Sequence, residues 1–134
     1  EVKRYLKKIS GPIADRIAIH IEVGHENEDF MASFATSNQN MSWSSARAKV
    51  ASVRKWDREH VGKDRIKHGP QMTNDATTLF NACRASLKLS HRGLNHVRHV
   101  ALTAALVDNS PKIEIEHIAE AGAGRLFDRP TWLR

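Results

Sequence analysis

The sequence predicts a mainly α-helical protein: a helical bundle preceded by a short helix and one strand. Three observations carry that prediction. Apolar residues at Leu94, Val97, Ala101 and Ala104 follow Ser90 with helical spacing. A second stripe, Ala76, Leu79, Phe80, Cys83 and Leu87, follows Thr73-Asn74 with the same period. Only residues 17–23 alternate strictly, with Ile17, Ile19, Ile21 and Val23 on one side.

In chain order, residues 1–10 form a short amphipathic helix, with Val2, Tyr5, Leu6 and Ile9 opposite Lys3, Arg4, Lys7 and Lys8. Ser10-Gly11-Pro12 stops it. The strand at 17–23 has no later partner in the sequence, and a lone strand leaves its backbone groups unpaired. Its sheet is therefore expected upstream of Glu1. The first residue is not Met, which points to a processed chain or an excised fragment. Residues 24–43 are polar and aperiodic, and read as a linker. Ser44 or Ser45 caps the next helix, with Ala46, Val50, Val53 and Val61 inward and Trp56 near that face. Arg47, Lys49, Arg54, Lys55 and Arg58 cover its outside.

Residues 62–70 read as a basic loop. Thr73 or Asn74 caps the second helix, and Ser90 caps the third through its hydroxyl. Asp108-Asn109-Ser110-Pro111 is a turn. A last helix carries Ile115, Ile118, Ala119 and Gly122, and Gly122 and Gly124 end it. Leu126, Phe127, Trp132 and Leu133 in the tail can pack back on the bundle. The division is thus 1–23, then a linker over 24–43, then a helical domain over 44–134.

Composition narrows the function classes. With 134 residues and 40% hydrophobic content, the chain can bury one modest core. No apolar run reaches the roughly 20 residues that span a bilayer, and no signal core is visible. Lys and Arg total 21 against 15 acidic residues, a net charge of +6 that favours polyanionic partners. The lone Cys83 lies on an apolar helix face and reads as a core thiol, in keeping with a reducing cytoplasm.

Candidate chemistry is sparse. His96 and His99 share a helix face near His91, but no Cys pair or carboxylate stands beside them at ligand spacing. No metal site is assigned. Gly62-Lys63-Asp64 lacks the earlier Gly and the following Ser or Thr of a phosphate-binding loop. No nucleophile signature and no paired catalytic carboxylates occur. Arg92 is the more pointed feature. It sits in the first turn of a Ser-capped helix, where free N–H groups and the dipole favour an anion, and its guanidinium fork fits phosphate.

Leu89-Ser90-x-Arg92, the helix after it and Glu116-His117-Ile118-Ala119-Glu120-Ala121 together resemble the C-terminal lid of magnesium-chelatase-like AAA+ ATPases. The branch they are most similar to is the ComM/YifB-type competence proteins. Residues 3–23, including Asp15-Arg16-Ile17, resemble the end of that family's ATPase core, most specifically over 9–23. Gln71-Met72-Thr73 resembles its Gln-Met-Ser/Thr, and Asp128-Arg129 is in keeping. The family usually has Leu where Ala14 stands, Asp where Ala18 stands, and Arg where His96 and Leu102 stand.

The resemblance implies a lid with a finger-bearing segment ahead of it. Arg16 would be the arginine finger, presented across a subunit boundary, and Arg92 the sensor-2 arginine that also contacts the nucleotide. The parent would use ATP and Mg²⁺, neither held tightly by this fragment alone. It would act as a cytoplasmic ring of like subunits on DNA, in recombination or transformation, with no membrane partner. The phosphate-binding loop would lie upstream, so the fragment would be inactive alone. The rival reading is a basic helical module that binds nucleic acid directly through segments such as Lys63–His68. A third is a metal-chelatase motor subunit, which shares the lid architecture.

Overall fold

The computed structural model describes residues 11–21, 42–61 and 65–125. The amphipathic helix expected over 1–10, most of the linker over 24–43 and the tail beyond Arg125 lie outside them. The described chain runs α1 (Gly11–Ala14), α2 (Trp43–Trp56), a π-helical turn (Asp57–Val61), α3 (Arg65–His68), β1 (Gln71–Met72), α4 (Asn74–Leu87), α5 (His91–Val107), β2 (Lys112–Ile113) and α6 (Ile115–Ala123). It is mainly helical, as the periodicity predicts.

The core sits where α6 meets α5 and α4, while α2 leans on α5. The face that α5 buries is Gly93, Val97, Ala101 and Ala105, one residue every fourth position, joined by Leu102 and Leu106. Three of those four are Gly or Ala, so the neighbouring backbone can approach closely. Leu94 and Ala104, expected inward, flank this face and are only half-buried. From α6 come His117, Ile118, Ala121 and Gly122. Ile115 and Ala119 point outward instead, and Gly122 lies inside the helix, which ends at Gly124. A Cβ on Gly122 would stand 3.3 Å from the Cys83 sulfur, so α4 and α6 meet tightly there. Burial pushes the Cys83 thiol pKa up, as expected for a core thiol.

Helix α2 is set differently from its predicted face. Its cap is Ser42, whose hydroxyl accepts from the Ser45 N–H at 3.1 Å, so the helix begins at Trp43. Ala46, Lys49 and Val53 face inward, while Val50 and Trp56 are exposed. No residue of α2 is fully buried. The π-helical turn then carries Val61 into the interior. The basic segment before Gly69 is partly helical rather than loop, since Arg65–His68 make one turn.

Two further corrections concern strands. Residues 17–21 form no strand among the described residues: the backbone is irregular, with a bend at Ala18, and pairs with no strand there. Their isoleucines do not line a core: Ile17, Ile19 and Ile21 are 43%, 50% and 80% exposed, and the buried residue is His20. The alternation was legible, but among the described residues no strand pairs with it. A parallel pair also exists that two-residue segments cannot announce: Gln71 opposite Lys112 and Met72 opposite Ile113. This pair aligns two helix starts. Thr73 follows β1, donates its N–H to Ile113 O at 3.0 Å and caps α4; Glu114 follows β2 and caps α6.

The N-terminal segment is tied to the end of α6. His20 donates its N–H to Gly124 O at 2.7 Å. Arg125, fully buried at 0% exposure, donates from Nη1 to Ile17 O at 2.5 Å. Burying a cation is costly unless its donors are used, so this placement is specific.

Two outcomes follow from this packing. Phe80 is half-buried against the core cluster. Phe80→Ala is expected to cost about 2–3 kcal/mol in denaturant unfolding, below the ~3–5 kcal/mol of fully buried rings. Arg125→Met is expected to release the 17–21 segment while the bundle persists. Hydrogen exchange checks this: the His20 amide exchanges faster, while those of Val97 to Ala105 stay protected.

Candidate functional site

Helix α4 ends on Lys88, which takes the left-handed conformation at φ 49°. This turns the chain back within three residues, and Leu89 is buried under the turn. Ser90 then caps α5 in extended conformation, φ −64° and ψ 166°. Its hydroxyl oxygen accepts the Gly93 N–H at 2.9 Å and donates its own proton to Asp15 Oδ1 at 2.6 Å. One hydroxyl thus joins the helix start to a carboxylate 75 residues earlier. Short bonds to a carboxylate are among the stronger ones.

Arg92 projects from the first turn. Its Nη1 lies 4.0 Å from Asp15 Oδ2, with the Arg92 side chain 52% exposed and that of Asp15 28%. Asp15, Ser90, His91, Arg92 and Asn95 line an open depression of about 500 Å³. The depression offers a guanidinium, a helix N-terminus and a hydroxyl on one side, all favourable to an anionic oxygen. On the other side stands a carboxylate, which is not.

Arg16 is exposed, and its Nη1 donates to Pro12 O at 2.9 Å, folding back over α1. The structure therefore brings Arg92 to Asp15, the residue beside Arg16. Asp15 turns toward the start of α5.

Sequence reasoning missed the joint between α5 and α6. His117 is buried, and its Nδ1 accepts the Glu114 N–H at 2.9 Å. This is a capping box with His in the place Glu or Gln usually takes. Since Nδ1 accepts, the proton is on Nε2, which faces Asp108 Oδ2 at 3.4 Å. Asp108 is the C-cap of α5, so one ring fastens the end of one helix to the start of the next. A Glu-His pair just before an apolar run was the available signal.

Among the described residues no three His, Cys, Asp or Glu side chains are grouped to hold a metal ion. His96 keeps its Nε2 buried without a hydrogen-bond partner among the described residues. A larger cavity, about 700 Å³, opens far along α5 between α2 and the turn before β2. Trp56, Val53, Pro70, Leu106 and Lys112 contribute to its lining, and it is mostly apolar. Trp56 stacks on His60 there, with ring centroids 4.7 Å apart. No described helix is long and apolar enough to cross a membrane.

Comparison with known proteins places this arrangement. No solved structure matches the chain. Among curated proteins it is 24% identical over 131 residues to the uncharacterized protein YifB of Escherichia coli (strain K12), covering 94% of this chain. The chain spans about a quarter of that relative's length, 26%. The family model described as magnesium chelatase, subunit ChlI C-terminal, matches residues 36–125, a stretch that holds Arg92, the α5–α6 joint and the whole bundle but not Arg16. With two thirds of its length matched, the chain belongs to that magnesium chelatase C-terminal family.

Proposed function

We propose that this chain is the nucleotide-sensing lid of a magnesium-chelatase-like AAA+ ATPase of the ComM type, with the finger-bearing end of the ATPase core ahead of it. The observation that carries the reading is Arg92 in the first turn of a Ser-capped helix, half exposed in an open depression. A phosphate oxygen there would meet the guanidinium and the free N–H groups of α5. The finger role of Arg16 rests on the resemblance of 9–23 and on its exposure. Its single bond to a carbonyl is easily exchanged for a phosphate on a neighbouring subunit.

In this reading ATP and Mg²⁺ are held mainly by chain outside these residues, which supplies the phosphate-binding loop and the acidic metal ligands. Mg²⁺ neutralises phosphate charge when bound. What this chain adds is positive charge at two points. Arg92 closes the lid over the nucleotide, and Arg16 stabilises the charge that develops on the neighbour's γ-phosphate. The machine is proposed to be a cytoplasmic ring of like subunits that remodels DNA in recombination or transformation. Shared lid architecture keeps a metal-chelatase motor as the alternative substrate class.

The test uses a full-length ATPase carrying this chain. Arg16→Ala is expected to remove most turnover while nucleotide binding is kept, since a finger is worth up to ~10³–10⁵ in rate. Arg92→Ala is expected to lower turnover and raise the apparent nucleotide constant. Mixing Arg16→Ala subunits with subunits dead in the phosphate-binding loop should recover some activity. Parental ATPase rates in both folded alanine variants would sink both roles.

One observation favours a second reading, direct nucleic-acid binding. Arg47, Arg54, Lys55 and Arg58 are exposed along α2 and the turn after it. Scattered cations of this kind predict weak DNA binding that falls steeply with salt, measurable by fluorescence anisotropy. Sequence-selective nanomolar binding at physiological salt would favour the independent module instead.

A further inference from the structure

We propose that Asp15 is a latch: its carboxylate holds Ser90 and Arg92 until a phosphate displaces it, and its release moves Arg16. This rests on the reading of Arg92 as a phosphate contact. The geometry supplies the rest. Asp15 Oδ1 takes the Ser90 proton at 2.6 Å, and Oδ2 stands 4.0 Å from Arg92 Nη1. A carboxylate placed so is negative where the phosphate would be negative. The two cannot occupy the depression together without like-charge repulsion, so phosphate entry must expel the carboxylate.

The latch is built to open. Its ion pair is long, and Arg92 is half exposed, so water screens it. The strong part is the Ser90 hydrogen bond, yet that hydroxyl can donate equally to a phosphate oxygen while still accepting the Gly93 N–H. Nothing in the α5 cap need break when the donor changes partner. On the other side, Asp15 and Arg16 share the turn that closes α1. Arg16 is folded back on Pro12 O in the latched state. Expelling Asp15 shifts that turn and with it the Arg16 guanidinium. Ile17, the next residue, is pinned by Arg125 and acts as the pivot. Asp15 is thus a positioning residue linking the two arginines, one reading phosphate in its own lid and one presented outward.

The experiment uses this 134-residue chain and tripolyphosphate at low salt, followed by NMR at the Arg92 and Gly93 amides. Asp15→Asn keeps a side-chain oxygen for Ser90 but removes the charge. It is expected to bind tripolyphosphate about two- to fivefold more tightly than the parent, the size set by one partly exposed ion pair. Asp15→Glu restores the charge and should return affinity toward the parent. In the parent, tripolyphosphate should also shift the amides of residues 13–17, of which only Asp15 lines the depression, on the side away from the anion. A merely structural Asp15 would weaken binding in Asp15→Asn. Unchanged or weaker affinity in Asp15→Asn, with binding lost in Arg92→Ala, overturns the latch and leaves the Arg92 reading standing. Equal affinity in parent and Arg92→Ala overturns both.

Discussion

A buried guanidinium sets where everything ahead of the bundle can lie. Arg125 leaves α6 just past Gly124 and spends one of its donors on the Ile17 carbonyl. Gly124 itself takes the His20 N–H. These two ties fix residues 17–20 against the end of α6, and Asp15 is then only two residues from a fixed point. Its reach to Ser90 and Arg92 follows. Gly93 lies against this cation, where a Cβ would make ordinary contact with Arg125 Nη2 at 3.5 Å and Leu89 at 3.4 Å. The start of α5, the end of α6 and the N-terminal turn therefore meet around one cation. Such a cation is expensive to bury and more expensive to leave without its acceptors.

The helices were legible because their apolar periods are long and clean. Their rotations were less so. For α5, periodicity picked Leu94, Val97, Ala101 and Ala104; packing kept Val97 and Ala101 but turned the face toward the small residues Gly93 and Ala105. Large side chains dominate a hydrophobicity pattern, but close helix contact rewards small ones. For α2, hydropathy placed Val50 inward, and the structure turns the helix so that the Lys49 stem takes that side. The parallel pair of β1 and β2 was illegible because two residues carry no period.

The site was legible in part. Ser90 and Arg92 stand where a capped helix start requires them. Asp15 did not announce itself as their partner, because the contact spans 75 residues and no local pattern encodes it. Arg125 follows a glycine-rich helix end with no local pattern to mark it, and its burial is a tertiary fact. His117 lay inside a recognisable run, yet its cap function depends on which nitrogen accepts the Glu114 N–H.

The outward isoleucines of residues 13–21 have a consequence for how the chain behaves in a test tube. Ile13, Ile17, Ile19 and Ile21 are all exposed. Several exposed isoleucines close together offer an apolar surface to a second molecule. The net charge of +6 keeps molecules apart at low ionic strength and is screened as salt rises. Colloidal stability of the isolated polypeptide should therefore worsen with added salt, contrary to the usual salting-in of basic proteins, and a soluble preparation calls for dilute buffer.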